Sequence, residues 1–286
     1  MKFAVFYSTA FHGTDPDAMV AVAQHAEDRG FESFYVPEHV ALYPGAMVGA
    51  ATFQPDLPIA DPLECLAFVA AATERILLGT GVLLLPYHHP VVLAKRLATL
   101  DLLSKGRMRR LTVGVGALPG EAAAAGVDFH TRGRRADEAI DVLRLLWAGD
   151  EHGVSFDGEF FRLRDVCSFP KPAGTGTLPI HVGGSSPAAA RRAGLRGDGY
   201  FAGGRLTAAE RAAQFDLMRD TARQAGRDPD TLDYTRWAPI DLTPADVETF
   251  AAAGTTRLVV SPASANLSEQ RDQLSALADR LRLRLG

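Results

Sequence analysis

The apolar positions of this chain follow two rhythms that alternate from end to end. Short runs without polar alternation, such as Ile76–Leu85 (ILLGTGVLLL), read as strands buried on both faces. Between them the apolar residues recur at helical spacing, as Met19, Val22, Ala23 and Ala26 do within Asp15–Arg29. Strands are expected at Lys2–Tyr7, Phe31–Pro37, Ile76–Leu85, Arg110–Gly116, Leu178–Val182, Gly199–Ala202, Leu232–Ile240 and Arg257–Ser261. Helices are expected at Asp15–Arg29, Asp61–Thr73, Val91–Leu103, Arg132–Trp147, Pro187–Leu195, Thr207–Ala225, Pro244–Ala253 and Ser268–Leu285. The third helix ends at Ser104-Lys105-Gly106, with Lys95, Arg96 and Asp101 spaced for a solvated face. Strand–helix alternation implies a parallel sheet, and eight units fit a (β/α)8 barrel better than an open doubly wound sheet.

Some stretches break the alternation. Residues 40–60 are rich in glycine and proline and too long for a plain connection, which marks them as a candidate functional loop. Residues 117–131 read as a second loop, and Pro170–Thr177 as a linker. Val154–Leu163, around Asp157-Gly158, reads as a β-hairpin, an insertion at about 152–165 into one domain spanning 1–286.

Composition narrows the class without naming it. A hydrophobic fraction of 47% and a charged fraction of 22% are ordinary for a globular chain. The net charge of −4 gives no case for nucleic acid or an anionic membrane as partner. No apolar stretch reaches the roughly 18 residues of a membrane helix. Cys65 and Cys167 stand alone, with no disulfide frame and no CxxC metal site, so a reducing, cytoplasmic setting is expected.

Barrel active sites lie at the C-terminal ends of the strands, and the unusual residues collect there. They are Tyr7-Ser8, Glu38-His39, Gly81–Leu85, Gly114–Gly116, Gly183–Ser186 and Gly203–Arg205. His39 can carry a proton near neutral pH, and a carboxylate beside it can orient it or bind a cofactor hydroxyl. Neighbours on an extended chain point apart, so only one of Glu38 and His39 is expected to face the mouth. Gly81, in mid-strand, marks a bulge or a close approach to the backbone. Gly183-Gly184-Ser185-Ser186-Pro187 opens a helix and is a phosphate-cradle candidate. His88-His89-Pro90 reads as a loop and helix start, because adjacent histidines do not readily chelate one ion and no distant ligand pair supports them. Gly114-Val115-Gly116 with Gly120 misses the dinucleotide fingerprint by one residue. No metal site is expected.

In the order and spacing of Glu27–His39, Arg75–Arg107, Val113–Gly116, Phe156–Leu163 and Pro170–Gly199, the chain resembles the bacterial luciferase-like superfamily, in particular its branch dependent on the deazaflavin coenzyme F420. That resemblance implies a (β/α)8 barrel with insertions. It implies a cofactor contact at Glu38 and a catalytic acid–base at His39. It implies a bulge behind the cofactor ring at Gly81 and Val82, with Leu84 beside it, and a cis peptide is expected there. Gly116 and Ala117 would lie near the ring, and Gly183, Gly184 and Ser186 at the phosphate. In some relatives a glutamate just after the fourth strand does proton work; here Ala117-Leu118-Pro119-Gly120 precedes Glu121. The activity implied is hydride transfer between deazaflavin C5 and a small organic substrate, by a homodimer. An FMN-dependent monooxygenase and a non-catalytic F420 carrier are the alternatives. A substrate pocket lined by Tyr43, Tyr87, Arg205 or Trp237 would speak against the carrier.

Overall fold

A computed structural model describes residues 1–48, 50–174 and 176–284. Eight strands, all paired in parallel, close into a barrel: β1 (Lys2–Phe6), β2 (Ser33–Val36), β3 (Leu77–Thr80), β4 (Met108–Gly114), β5 (Ile180–Gly184), β6 (Gly199–Ala202), β7 (Asp233–Trp237) and β8 (Arg257–Val260). β1 lies between β2 and β8, with Val5 opposite both Phe34 and Val260. The ring closes where β4 meets β5, Val113 opposite Val182. Around it pack α1 (Pro16–Asp28), α2 (Pro62–Ala72), α3 (Pro90–Leu103), α4 (Arg132–Ala148), α5 (Pro187–Arg196), α6 (Ala208–Gln224), α7 (Pro244–Ala252) and α8 (Leu267–Leu281). Their starts follow local chemistry. Asp15, Asp61 and Ser186 accept backbone N–H bonds ahead of a proline in the first turn, and Thr207 with Glu210 forms a capping box.

The eight expected strand–helix units are all present. Their details differ where tertiary contacts act. The third strand breaks after Thr80, crosses a cis Gly81–Val82 peptide, and resumes at Leu83–Leu84 against Val113 and Gly114 of β4. The expected solvated face of α3 is corrected at Asp101, which is fully buried and accepts N–H bonds from Met108 (3.1 Å) and Ala173 (2.7 Å). The hairpin pairs Val154–Asp157 with Arg162–Val166. Its turn is the four-residue Gly158–Phe161, not a tight Asp-Gly pair, because Asp157 stands opposite Arg162. Residues 117–131 contain a short helix, Pro119–Ala124. Gly49, Thr175 and Leu285, which fall in the expected loop, linker and last helix, lie outside the described residues.

Strand alternation sorts side chains between two cores. On β7, Tyr234 points outward against Phe215 of α6, ring centroids 4.7 Å apart, while Asp233 and Trp237 point into the barrel. The N-terminal end of the barrel is plugged by charge. Arg257 Nε donates to Glu32 (2.7 Å) and its Nη1 to Asp233 (3.1 Å), and Arg110 donates to Glu32 (2.5 Å). Above this plug lie Ala4, Tyr35, Phe201 and Val259, with Phe6 against them. The interior is thus ionic at one end and aromatic toward the other, where the glycine-rich loops emerge.

Candidate active site

Glu38 and His39 do point apart. Glu38 is buried, and its Oε2 accepts the Leu84 N–H (2.5 Å) while Oε1 pairs with His88 Nε2 (2.8 Å). Its own N–H donates to Val82 O (3.1 Å). Both of its carboxylate oxygens are therefore engaged within the protein, holding the turn that follows β3. His88, read from sequence as a loop residue, is part of that clamp.

His39 turns toward Glu121. Its Nδ1 lies 3.0 and 3.2 Å from the two carboxylate oxygens of Glu121. Glu121 Oε1 also accepts the Val40 N–H (2.8 Å), and the side chain has no exposed surface. A carboxylate facing Nδ1 favours the tautomer with the proton on that nitrogen and leaves Nε2 without one. Glu121 is positioned by the helix Pro119–Ala124, whose local logic is legible: proline at the start, an acid in the first turn, then alanines. That signal could have located the glutamate. The sequence does not show that its side chain would meet His39.

The break in β3 is built by its neighbours. A Cβ at Gly114 would lie 2.6 Å from Val82 Cγ2, and one at Gly183 would lie 2.5 Å from Val82 Cγ1. The two glycines thus leave the space that the Val82 side chain fills. Gly81 itself faces the aromatic interior, with Tyr35 at 3.3 Å and Phe6 at 3.7 Å from the position of its absent Cβ. Leu84 is buried, and Ala117 is exposed beyond Gly116. Gly116, at φ +78°, lies directly under the hydroxyl of Tyr87. That hydroxyl is buried with no hydrogen-bond partner among the described residues, and burial together with the charge of Glu121 pushes its pKa up to about 12.

Residues 40–48 and 50–60 close over this group. Tyr43 Oη accepts the Gly120 N–H (3.3 Å), and the Phe53 ring lies 5.3 Å from the His39 ring. Across the mouth Trp237, 39% exposed, stands on Phe6 (4.8 Å) and Phe201 (5.1 Å). At the start of α5, Ser186 Oγ accepts the Ala189 N–H (3.2 Å), and Ser185 and Ser186 are exposed. Gly203, in the next loop, has open space where a side chain would be. The structure thus gathers Glu38, His39, Gly81, Val82, Leu84 and Gly116 around the ends of β2 to β4. Gly183 joins them through Val82, while Gly184 and Ser186 stand at the start of α5.

The sequence model of the luciferase-like monooxygenases matches residues 1–282. The chain belongs to the luciferase-like monooxygenase family. Within this family it is 32% identical over 268 residues to an F420-dependent glucose-6-phosphate dehydrogenase of Kribbella flavida, a match covering 85% of this chain and 76% of that protein. It is 36% identical over 220 residues to an F420-dependent hydroxymycolic acid dehydrogenase of Mycobacterium tuberculosis, covering 76% of this chain and 56% of the relative. Among solved structures, an F420-dependent secondary alcohol dehydrogenase in complex with an F420–acetone adduct shares the fold. Its TM-score is 0.77 at 19% identity, over 98% of this chain and 99% of that one. The luciferase-like barrel is therefore seen in both sequence and shape.

Proposed function

We propose that this protein is an F420-dependent oxidoreductase that moves a hydride between the deazaflavin C5 and a small organic substrate. The observation that carries the reading is the His39–Glu121 pair under the 40–60 loop, at the mouth of a luciferase-like barrel whose relatives include F420-dependent dehydrogenases. The residues present fit the cofactor. The bulge at Gly81 and Val82, with Leu84, Gly116 and Ala117, offers an apolar wall for a planar ring. Among the described residues the Tyr87 hydroxyl has no partner and the face of Gly203 is open. The turn Gly183-Gly184 and the hydroxyl of Ser186, at a helix N-terminus, suit a phosphate.

When bound, coenzyme F420 supplies a hydride acceptor or donor at C5. The Nε2 of His39 accepts the hydroxyl proton of an alcohol as its carbinol hydride leaves, and returns a proton to a ketone oxygen in the reverse direction. Glu121 holds the ring in that tautomer and stabilises the imidazolium as it forms. Glu38 acts on the other side, where its grip on Leu84 and His88 keeps the β3 bulge in shape. Phe53 and Tyr43 keep the loop over the imidazole and limit water there.

Parallel fluorescence titrations with F420 and FMN test the reading, and tighter binding of F420 is expected. Binding of FMN alone would point to the monooxygenase chemistry of the family. We also infer a cytoplasmic protein, in keeping with two free thiols at Cys65 and Cys167. A closed twofold dimer is the expected assembly. Sedimentation at micromolar concentration checks this, and a monomer alone would reject it.

A further inference from the structure

The loops that follow the eight strands are 7–15, 37–61, 81–89, 115–131, 185–186, 203–207, 238–243 and 261–266. Together they carry seven Asp or Glu but a single Lys or Arg, which is Arg205. The nearest cations beyond these loops are Arg211 of α6, whose guanidinium donates to Gly204 O (3.4 Å) beside Arg205, and Arg132 at the start of α4, which is already engaged. The Arg132 guanidinium donates to Gly116 O (3.2 Å) and Phe129 O (2.5 Å) and lies 3.6 Å over the Phe129 ring. Arg110 and Arg257 belong to the plug at the opposite end of the barrel, matched by Glu32 and Asp233. Arg205 adjoins Gly203 and Gly204, on the side where the cofactor phosphate is placed. A dianionic substrate would therefore lose its hydration without gaining the charge-assisted donors that repay it.

What the mouth does offer is apolar. Val40, Met47 and Val48 all stand exposed on the loop that begins at His39, and Phe53 of the same loop lies against the imidazole. Trp237 presents its ring from the far wall. Single exposed apolar side chains are ordinary, but here several gather on the segment that covers the proton carrier. Methionine adds a side chain that can reshape around different occupants.

We infer that this site takes an uncharged alcohol or ketone with an apolar body, and not a sugar phosphate or other anion. The inference rests on the oxidoreductase reading above. The carbinol carbon gives up a hydride to the deazaflavin and the hydroxyl gives its proton to His39, so that a two-electron oxidation leaves the ketone and the reduced cofactor.

The test uses the protein loaded with F420. Initial rates of F420 reduction are measured with a homologous series of unbranched secondary alcohols, from isopropanol upward, and with glucose 6-phosphate as the anionic arm. The matching ketones are titrated calorimetrically into the same protein. The efficiency kcat/KM should rise about threefold to fourfold per added methylene, the transfer free energy of one buried CH2, and the ketone Kd should fall in step. Glucose 6-phosphate should give neither turnover nor competition. Met47→Lys, which adds charge to the loop, should flatten the series while F420 affinity holds. A flat series in the unaltered protein, or turnover of glucose 6-phosphate above that of the longest alcohol, would overturn the inference and leave the cofactor reading standing. So would a protein that binds F420 but no alcohol or ketone. Failure to bind F420 would instead remove the reading on which the inference rests, and the inference with it.

Discussion

At the scale of single residues the site is a contrast between two glutamates that flank one histidine. Glu38 spends its oxygens on Leu84 and His88, and Glu121 spends its own on His39 and Val40. Only the second touches the histidine. If His39 is the acid–base group, His39→Ala should lower kcat by about two to four orders of magnitude while F420 affinity changes little. Glu121→Gln should lower kcat by about one to two orders, again at constant F420 affinity. If Glu121 acts through His39, the double variant should be no slower than His39→Ala alone. Stopped-flow reduction of bound F420 gives all three rates. Additive losses would mean that Glu121 works independently of the histidine.

At the scale of elements, the bulge after β3 is held by β4 and β5 as much as by its own sequence. Gly114 and Gly183 both make room for Val82, so an added side chain at Gly183 meets protein before it meets any ligand. Gly183→Ala should therefore destabilise the fold by about 1–3 kcal/mol, the usual result of overpacking. Ser186→Ala should cost about 1 kcal/mol through loss of the α5 cap. If that hydroxyl also serves a phosphate, the same change should weaken F420 by about tenfold, as loss of a hydrogen bond to a charged group does. Melts paired with F420 titrations separate the two effects. A Gly183→Ala protein as stable as the parent would show that Val82 can move aside. The short helix Pro119–Ala124 belongs to this scale too. Its proline, acid and alanines were readable, yet a stretch that short between a strand and a long helix reads equally well as loop.

At the scale of the whole molecule, the ionic plug at the foot of the barrel ties stability to pH. Burial alone would raise the carboxyl of Glu32, but Arg257 and Arg110 outweigh it and bring the pKa from 4.5 to about 2. Its contribution, on the order of 3 kcal/mol, is complete above about pH 4.5 and is lost as the pH falls toward 2. His181 is held below its ordinary value of 6.5, chiefly by burial and then by Arg257. The unfolded chain takes up that proton first, so this second loss begins as the pH drops below about 6.5. Urea midpoints measured from pH 7 to pH 2 should therefore fall in two overlapping stages. His12 and His25, also held below 6.5 chiefly by burial, share the upper stage, so His181→Asn should shrink it without abolishing it, and an unchanged upper limb in that variant would assign it to those two.

By itself the sequence determined the order of strands and helices, the barrel class and the rim on which its unusual residues would stand. These depend on local periodicity and on caps, prolines and glycines, which act within a few residues. The glycine in the third strand likewise announced the break that the structure places there. Only the tertiary structure decided partners. His39 and Glu121 are 82 residues apart, and His88 meets Glu38 across 50. Asp101 sits at a helical position that suits solvent, yet it is buried because Met108 and Ala173 bring it N–H donors. Such pairings follow from which loops become neighbours when the barrel closes, and from which way each side chain points at a strand end. A shift of one residue there reverses the direction, and no pattern along the chain resolves it.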